Sequence, residues 1–162
     1  MSNLIKIGID PSGTGTTGIV IYEDNKIIRK IEIIYNNWLK QLEFIIDSFS
    51  AFRYKNSYKF NIENCLPTNA NGSKDRDDLL RLLGALEIKL NDLQIEINWV
   101  SPKYTKSVVK NIKNLSKYND SCLWKYDKDP NLTYQYGKGW FYNNEKISNH
   151  LRDAIIIANY EN

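Results

Sequence analysis

The segment Lys6–Tyr22, KIGIDPSGTGTTGIVIY, sets two apolar runs on either side of a glycine- and threonine-rich turn and leaves an aspartate, Asp10, at the end of the first run. Leu4–Asp10 is apolar enough for a central strand, and DPSGTGTTG can only be a tight turn into a second strand, Ile19–Tyr22. Glu23–Asp24–Asn25–Lys26 then reads as a hairpin loop before a third strand over Ile27–Ile34. From Asn36 the period changes. Trp38, Leu39, Leu42, Ile45, Ile46 and Phe49 recur at three and four, which predicts an amphipathic helix capped by Asn36 or Asn37. Tyr58–Glu63 is a fourth strand, and Pro67–Asp78 a polar loop. Asp77 or Asp78 caps a second helix with a stripe of Leu79, Leu83, Leu86 and Leu90, widened by Leu82 and Ala85. Ile95–Val100 is a fifth strand, stopped by Ser101–Pro102. A last helix starts near Asn144 or Ser148 and turns Ile147, Leu151, Ala154 and Ala158 inward. A hairpin followed by crossover units is mixed α/β.

At 162 residues the chain has the length of one domain and can bury roughly two thirds of its unfolded surface. Cys65 and Cys122 are too few for a disulfide framework and lack metal-site spacing, so reduced thiols are expected and a structural zinc is not. No stretch approaches ~18 apolar residues and the start carries no signal pattern, so a soluble protein of the cytoplasm is expected, with no membrane partner. The net charge of +3 is too small by itself to indicate nucleic acid. Its distribution is more informative, because Pro102–Lys146 holds nine lysines against four acids together with six of the eleven tyrosines and two of the four tryptophans. Cations meet phosphate and aromatic faces stack on unpaired bases, so a nucleic-acid surface is one reading of this insertion. A loosely ordered insertion whose aromatics cover the core is the other.

Three acids stand at the edges of regular elements. Asp10 lies at a strand's carboxyl end, where open α/β sheets place their ligands, unless it merely caps the turn. Glu63 ends the fourth strand and reaches the same place if the first and fourth strands are neighbours. His150-x-x-Asp153 puts an imidazole and a carboxylate on one face of a nearly apolar helix, where a buried acid is costly without a cation. The plainer reading pairs Asp153 with a lysine and makes His150 a cap. Carboxylates with one imidazole suit Mg²⁺ or Mn²⁺ better than zinc.

Taken in order, Gly8–Ile9–Asp10–Pro11 with Thr17–Gly18, Ile62–Glu63, Asn69 ahead of Leu83–Gly84–Ala85, and His150-x-x-Asp153–Ala154 resemble the RuvC family of Holliday-junction resolvases, within the RNase H-like superfold. The resemblance runs from about Lys6 to Tyr160 and is closer to phage or small-genome versions, which would act in a host cytoplasm. It implies a five-stranded mixed sheet, the first three strands antiparallel, with helices on both faces. It also implies a site of Asp10, Glu63, His150 and Asp153 holding two divalent ions, Mg²⁺ or Mn²⁺, for paired symmetric nicking of four-way DNA. Lys103, Lys106 and Lys110 correspond to the lysine-rich segment after the fifth strand, and Leu66 to the wedge that opens a junction. With Asn69 and Arg76 they make the expected DNA-binding set. A two-fold substrate implies a homodimer, for which the Leu79/Leu83/Leu86/Leu90 stripe is a candidate face, although such a stripe is more often core.

Three rival readings follow from the same residues. The actin and sugar-kinase group has a similar phosphate turn but needs two such domains around its nucleotide, so no nucleotide cofactor is expected. A RuvC-related family acting on RNA ends lacks the strong His-x-x-Asp–Ala helix ending, while a RuvC-type nuclease acting on forks or flaps stays open. A branched-DNA-binding module without catalysis would gain nothing from clustering acids near phosphate.

Overall fold

A computed structural model describes residues 3–50, 57–65, 73–115 and 123–161, of which 111–115 and 123 by backbone only. β1 (Leu4–Asp10) and β2 (Thr16–Glu23) pair antiparallel across the glycine-rich turn, with Asp10 opposite Gly18. Asp24 and Asn25 take φ of 47° and 67°, the left-handed pair that suits a tight hairpin, and β3 (Lys26–Ile34) returns along β2. Asn37 caps α1 (Trp38–Phe49), its side chain accepting from the N–H groups of Leu39 and Lys40. The chain then enters β4 (Ser57–Glu63) parallel to β1, crosses again through α2 (Lys74–Asp92), and lays β5 (Ile97–Val100) parallel to β4. The order β3-β2-β1-β4-β5 is the mixed five-stranded sheet, antiparallel in its first three strands.

Alternation along the central strands assigns the two faces. Ile5, Ile7, Ile9, Ile19, Ile21, Phe60 and Ile62 join Ile45, Phe49, Leu82, Leu86 and Leu90 in one aliphatic core under α1 and α2. The opposite face receives α4 (Asn149–Ala158), capped by Ser148 through the Leu151 N–H. Helices therefore cover both faces.

Three expectations change. α2 is capped four or five residues before the expected positions: Ser73 caps it by accepting from the Arg76 N–H, and Asp78 lies inside, bridged to Lys74 at 2.7 Å and Arg81 at 3.3 Å. Acids in a helix's first turn oppose its dipole favourably, which a polar run read as a loop conceals. Leu83, Leu86 and Leu90 are buried in the core, so the leucine stripe is not a dimer face. Pro102 opens α3 (Pro102–Leu115), where a missing N–H costs nothing, rather than only ending a strand.

The described residues beyond α3 in the lysine- and aromatic-rich stretch build a second sheet, the antiparallel β6 (Leu123–Lys125), β7 (Leu132–Gln135), β8 (Gly139–Tyr142) and β9 (Glu145–Lys146). Apart from Tyr136, exposed in the turn between β7 and β8, its aromatic side chains pack rather than protrude. Trp140 meets Trp124 edge-on at 5.5 Å and Tyr134 at 5.1 Å, and Tyr126, Trp140 and Tyr142 are buried with Val20, Tyr22 and Ile155. Of the two readings of this stretch, cover for the core is the one these rings follow. α4 is thus held between two sheets, which explains why Ala154–Ala158 is buried on every side instead of on one stripe.

Candidate active site

Asp10 is the last residue of β1, and the β1–β4 ladder pairs Ile9 with Ile62, so Asp10 and Glu63 end their strands side by side. Above them sits the first half of α4. A β-carbon at Gly8 would fall on the Ala154 carbonyl and the Ala158 methyl, and one at Gly18 on the His150 carbonyl. These two glycines let the helix rest on the sheet backbone, which brings His150 Nδ1 to 3.5 Å from Asp10 Oδ2. The far end of α4 is fixed by Asn61, whose Nδ2 donates to the carbonyls of Ile157, Ala158 and Tyr160 while its Oδ1 accepts from Asn98. Orphan carbonyls at a helix end are satisfied in this way from the strand that also carries Glu63.

The electrostatics are those of crowded acid groups. Burial, then the charge of Asp153, pushes the Asp10 carboxyl up to about 7, with Arg152 acting the other way. Burial raises Glu63 to about 8, reinforced by Asp10 and Asp153 and opposed by a hydrogen bond from Thr105 and the charge of Lys106. The Thr105 hydroxyl reaches Glu63 Oε2 at 3.4 Å. No lysine or arginine stands at salt-bridge distance from Asp10 or Glu63 among the described residues.

A cleft of about 310 Å³ opens beside the acids, lined by Glu63, Thr105, Lys106, Lys110, Arg152 and Asp153. Its walls come from β4, α3 and α4. Of the residues expected from sequence, Asp10, Glu63, His150 and Asp153 are brought together, and Lys106 and Lys110 reach the cleft. Lys103 lies a turn earlier on α3, with Nζ 5.2 Å over the Tyr104 ring, outside the lining. Arg76 sits in the first turn of α2, its Nε buried with no hydrogen-bond partner among the described residues, and does not line the cleft. Leu66 and Asn69 lie outside the described residues. Sequence reasoning missed Arg152 and Thr105. A single arginine between Leu151 and Asp153 on an apolar helix was the available signal for the first; the second required knowing that α3 exists.

The donor set fits a divalent cation. Three carboxylates, largely withdrawn from water and repelling one another, stand with a half-exposed imidazole, and together they are hard or borderline ligands whose negative charge a cation would offset. They converge without closing: among the described residues no three acid, imidazole or thiol groups form a ligand cluster, and Asp153 Oδ1 accepts instead from Arg152 Nε at 2.7 Å.

The fold and the acid-bearing strand ends define an α/β class in which a five-stranded mixed sheet presents its carboxyl edge to a terminal helix. Within that class the chain shares its fold with RuvC: it matches T. thermophilus RuvC in complex with Holliday junction substrate at TM-score 0.57 and 13% identity, over 96% of this chain and 90% of that one. A second structure, Thermus thermophilus RuvC, gives TM-score 0.53 and 13% identity over 96% and 91%. No protein-family model and no curated protein matches the sequence. Among the described residues no helix is long and apolar enough to cross a membrane.

Proposed function

We propose that the protein is a metal-dependent endonuclease that resolves four-way DNA junctions by paired symmetric nicks. The observation that carries this reading is the meeting of Asp10, Glu63 and Asp153 at one edge of the sheet, beside a cleft that also holds Lys106 and Lys110. A fold shared with a protein solved on a Holliday junction supports DNA of that kind as the substrate. Asp10, Glu63, His150 and Asp153 would hold two Mg²⁺ or Mn²⁺ ions. When bound, such ions supply Lewis acidity, acidifying the attacking water and stabilising the departing oxygen.

The chain's own groups do the rest. Lys106 and Lys110 grip the phosphate backbone and offset charge building on the reacting phosphate. Thr105 orients the Glu63 carboxylate, and the clamp of Asn61 on α4 keeps Asp153 and His150 in register with Asp10 and Glu63. Asp10→Asn and Asp153→Asn should each abolish cleavage of a synthetic junction in Mg²⁺ or Mn²⁺ while junction binding persists. Unchanged nicking by either variant overturns the site.

Paired nicks on a two-fold substrate call for two copies. With the leucine stripe in the core, the solvent side of α2 offers one exposed apolar surface, as Ile34, Leu39 and Phe44 offer another: Leu80 and Ile88, 43% and 65% exposed, flank Gly84, over which nothing stands within 4 Å among the described residues. A second α2 crossing antiparallel at Gly84 would set Leu80 of one copy against Ile88 of the other, and Arg81 against Glu87. Ile88→Glu should sediment as a monomer and make unpaired nicks; a dimer of unchanged stability would place the interface elsewhere.

A further inference from the structure

Among the described residues, Arg152 is the arginine or lysine in direct contact with an acid of the cluster. Its Nε donates to Asp153 Oδ1 at 2.7 Å and its Nη1 to Asn149 Oδ1 at 3.2 Å, while the guanidinium lies 5.1 Å over the Trp140 ring. The side chain is only 11% exposed. Neighbouring residues on a helix point about 100° apart and do not ordinarily face each other, so this contact exists because the arginine folds back along α4. Trp140, itself buried in the second sheet, supplies the fixed wall against which it folds. Such a wall favours a flat delocalised cation over an ammonium.

We infer that Arg152 is a resident counterion of the acid cluster, which an incoming divalent ion displaces from Asp153 and which then serves as a phosphate-holding group in the same cleft. The inference rests on the metal-nuclease reading above. Both halves follow from where the group lies. A carboxylate oxygen engaged by a guanidinium at this distance is a poorer ligand, and the fixed positive charge repels a dication arriving at Asp153. Once released, the guanidinium remains stacked on Trp140 beside Lys106 and Lys110, and Nη2, which makes no hydrogen bond among the described residues, is available to a phosphate oxygen. Arg152 thus offsets the charge of the crowded acids and links metal binding to DNA binding. It is a positioning residue with respect to the metal and a contact residue with respect to DNA.

The test is Mn²⁺ binding by the full chain without DNA, read by calorimetry and by the rise in melting temperature, for wild type and Arg152→Gln. Removing the resident cation should tighten Mn²⁺ binding about tenfold while weakening junction binding in Ca²⁺. A purely structural arginine would weaken both. Mn²⁺ affinity unchanged or reduced in Arg152→Gln, with wild type binding the ion, overturns the inference and leaves the nuclease reading standing. Failure of wild type and variant alike to bind Mn²⁺ overturns the nuclease reading and the inference with it. Wild-type protein gives an independent measurement that needs no variant: the Arg152 Nε–H resonance should move on saturation with Mg²⁺ as its bond to Asp153 breaks. A resonance unmoved while Mg²⁺ raises the melting temperature also overturns the inference.

Discussion

On one face of the main sheet, under α1 and α2, the core is isoleucine and leucine with phenylalanine, and its buried polar side chains serve the helices and the sheet edge: Gln41 donates to the carbonyls of Gly15, Ile33 and Tyr35, and Ser48 to that of Ile45. The other face, under α4, is threaded with polar groups: Lys6 donates to Asn159, Asn159 to the Tyr22 hydroxyl, Tyr22 and Tyr142 to Asp129, and Asn61 to the end of the helix. Close packing is non-directional and tolerates exchange of one apolar shape for another. A hydrogen-bonded network fixes angles as well as distances. The difference is one of purpose: the aliphatic face holds the fold together, and the polar face holds α4 in place over Asp10 and Glu63.

That division can be broken experimentally. Leu86→Ala, on the aliphatic face, should cost about 2–5 kcal/mol of stability yet leave junction cleavage within about twofold of wild type below the melting transition. Asn61→Ala should cost less stability, about 1–3 kcal/mol from the carbonyls it orphans, but slow cleavage tenfold or more, since small misplacements of catalytic groups are expensive. Chemical denaturation paired with single-turnover cleavage would measure both. Equal loss of activity per unit of lost stability would erase the distinction between the faces.

The smallest effect concerns pH. Asp10 and Glu63 are raised to about 7 and about 8 in the fold, above values near 4 in an unfolded chain. A raised carboxyl contributes its full stability only below its unfolded pKa, and loses it as pH climbs through the folded value. Metal-free wild type should therefore melt progressively lower from about pH 5 to about pH 8.5. Asp10→Asn should flatten that fall and melt about 2–4 °C above wild type at the alkaline end. Parallel curves for the two proteins would show that the acids are not strained against each other.

Much of the frame was legible because local chemistry agreed with tertiary need. Period-two isoleucines, the turn at Asp10–Gly18 and the Asp24–Asn25 hairpin each pointed to the same strands. Asp10, Glu63, His150 and Asp153 were readable because strand ends and a spacing of three fix where side chains meet. The second sheet was not, because strands of two to four residues leave too little pattern for a period. Arg152 was equally hidden, since its pose depends on Trp140, which reaches it only through that sheet. The start of α2 was obscured by Lys74–Asp78, a run as polar as any loop.

Gly8 and Gly18 leave α4 seated on backbone, so no side chain acts as a spacer between Asp10 and the residues above it. A gap set by two main chains cannot be retuned by swapping core residues, however many are exchanged. Sequence drift is then free to rewrite the core around the site while the distance across it stays where the polypeptide itself puts it.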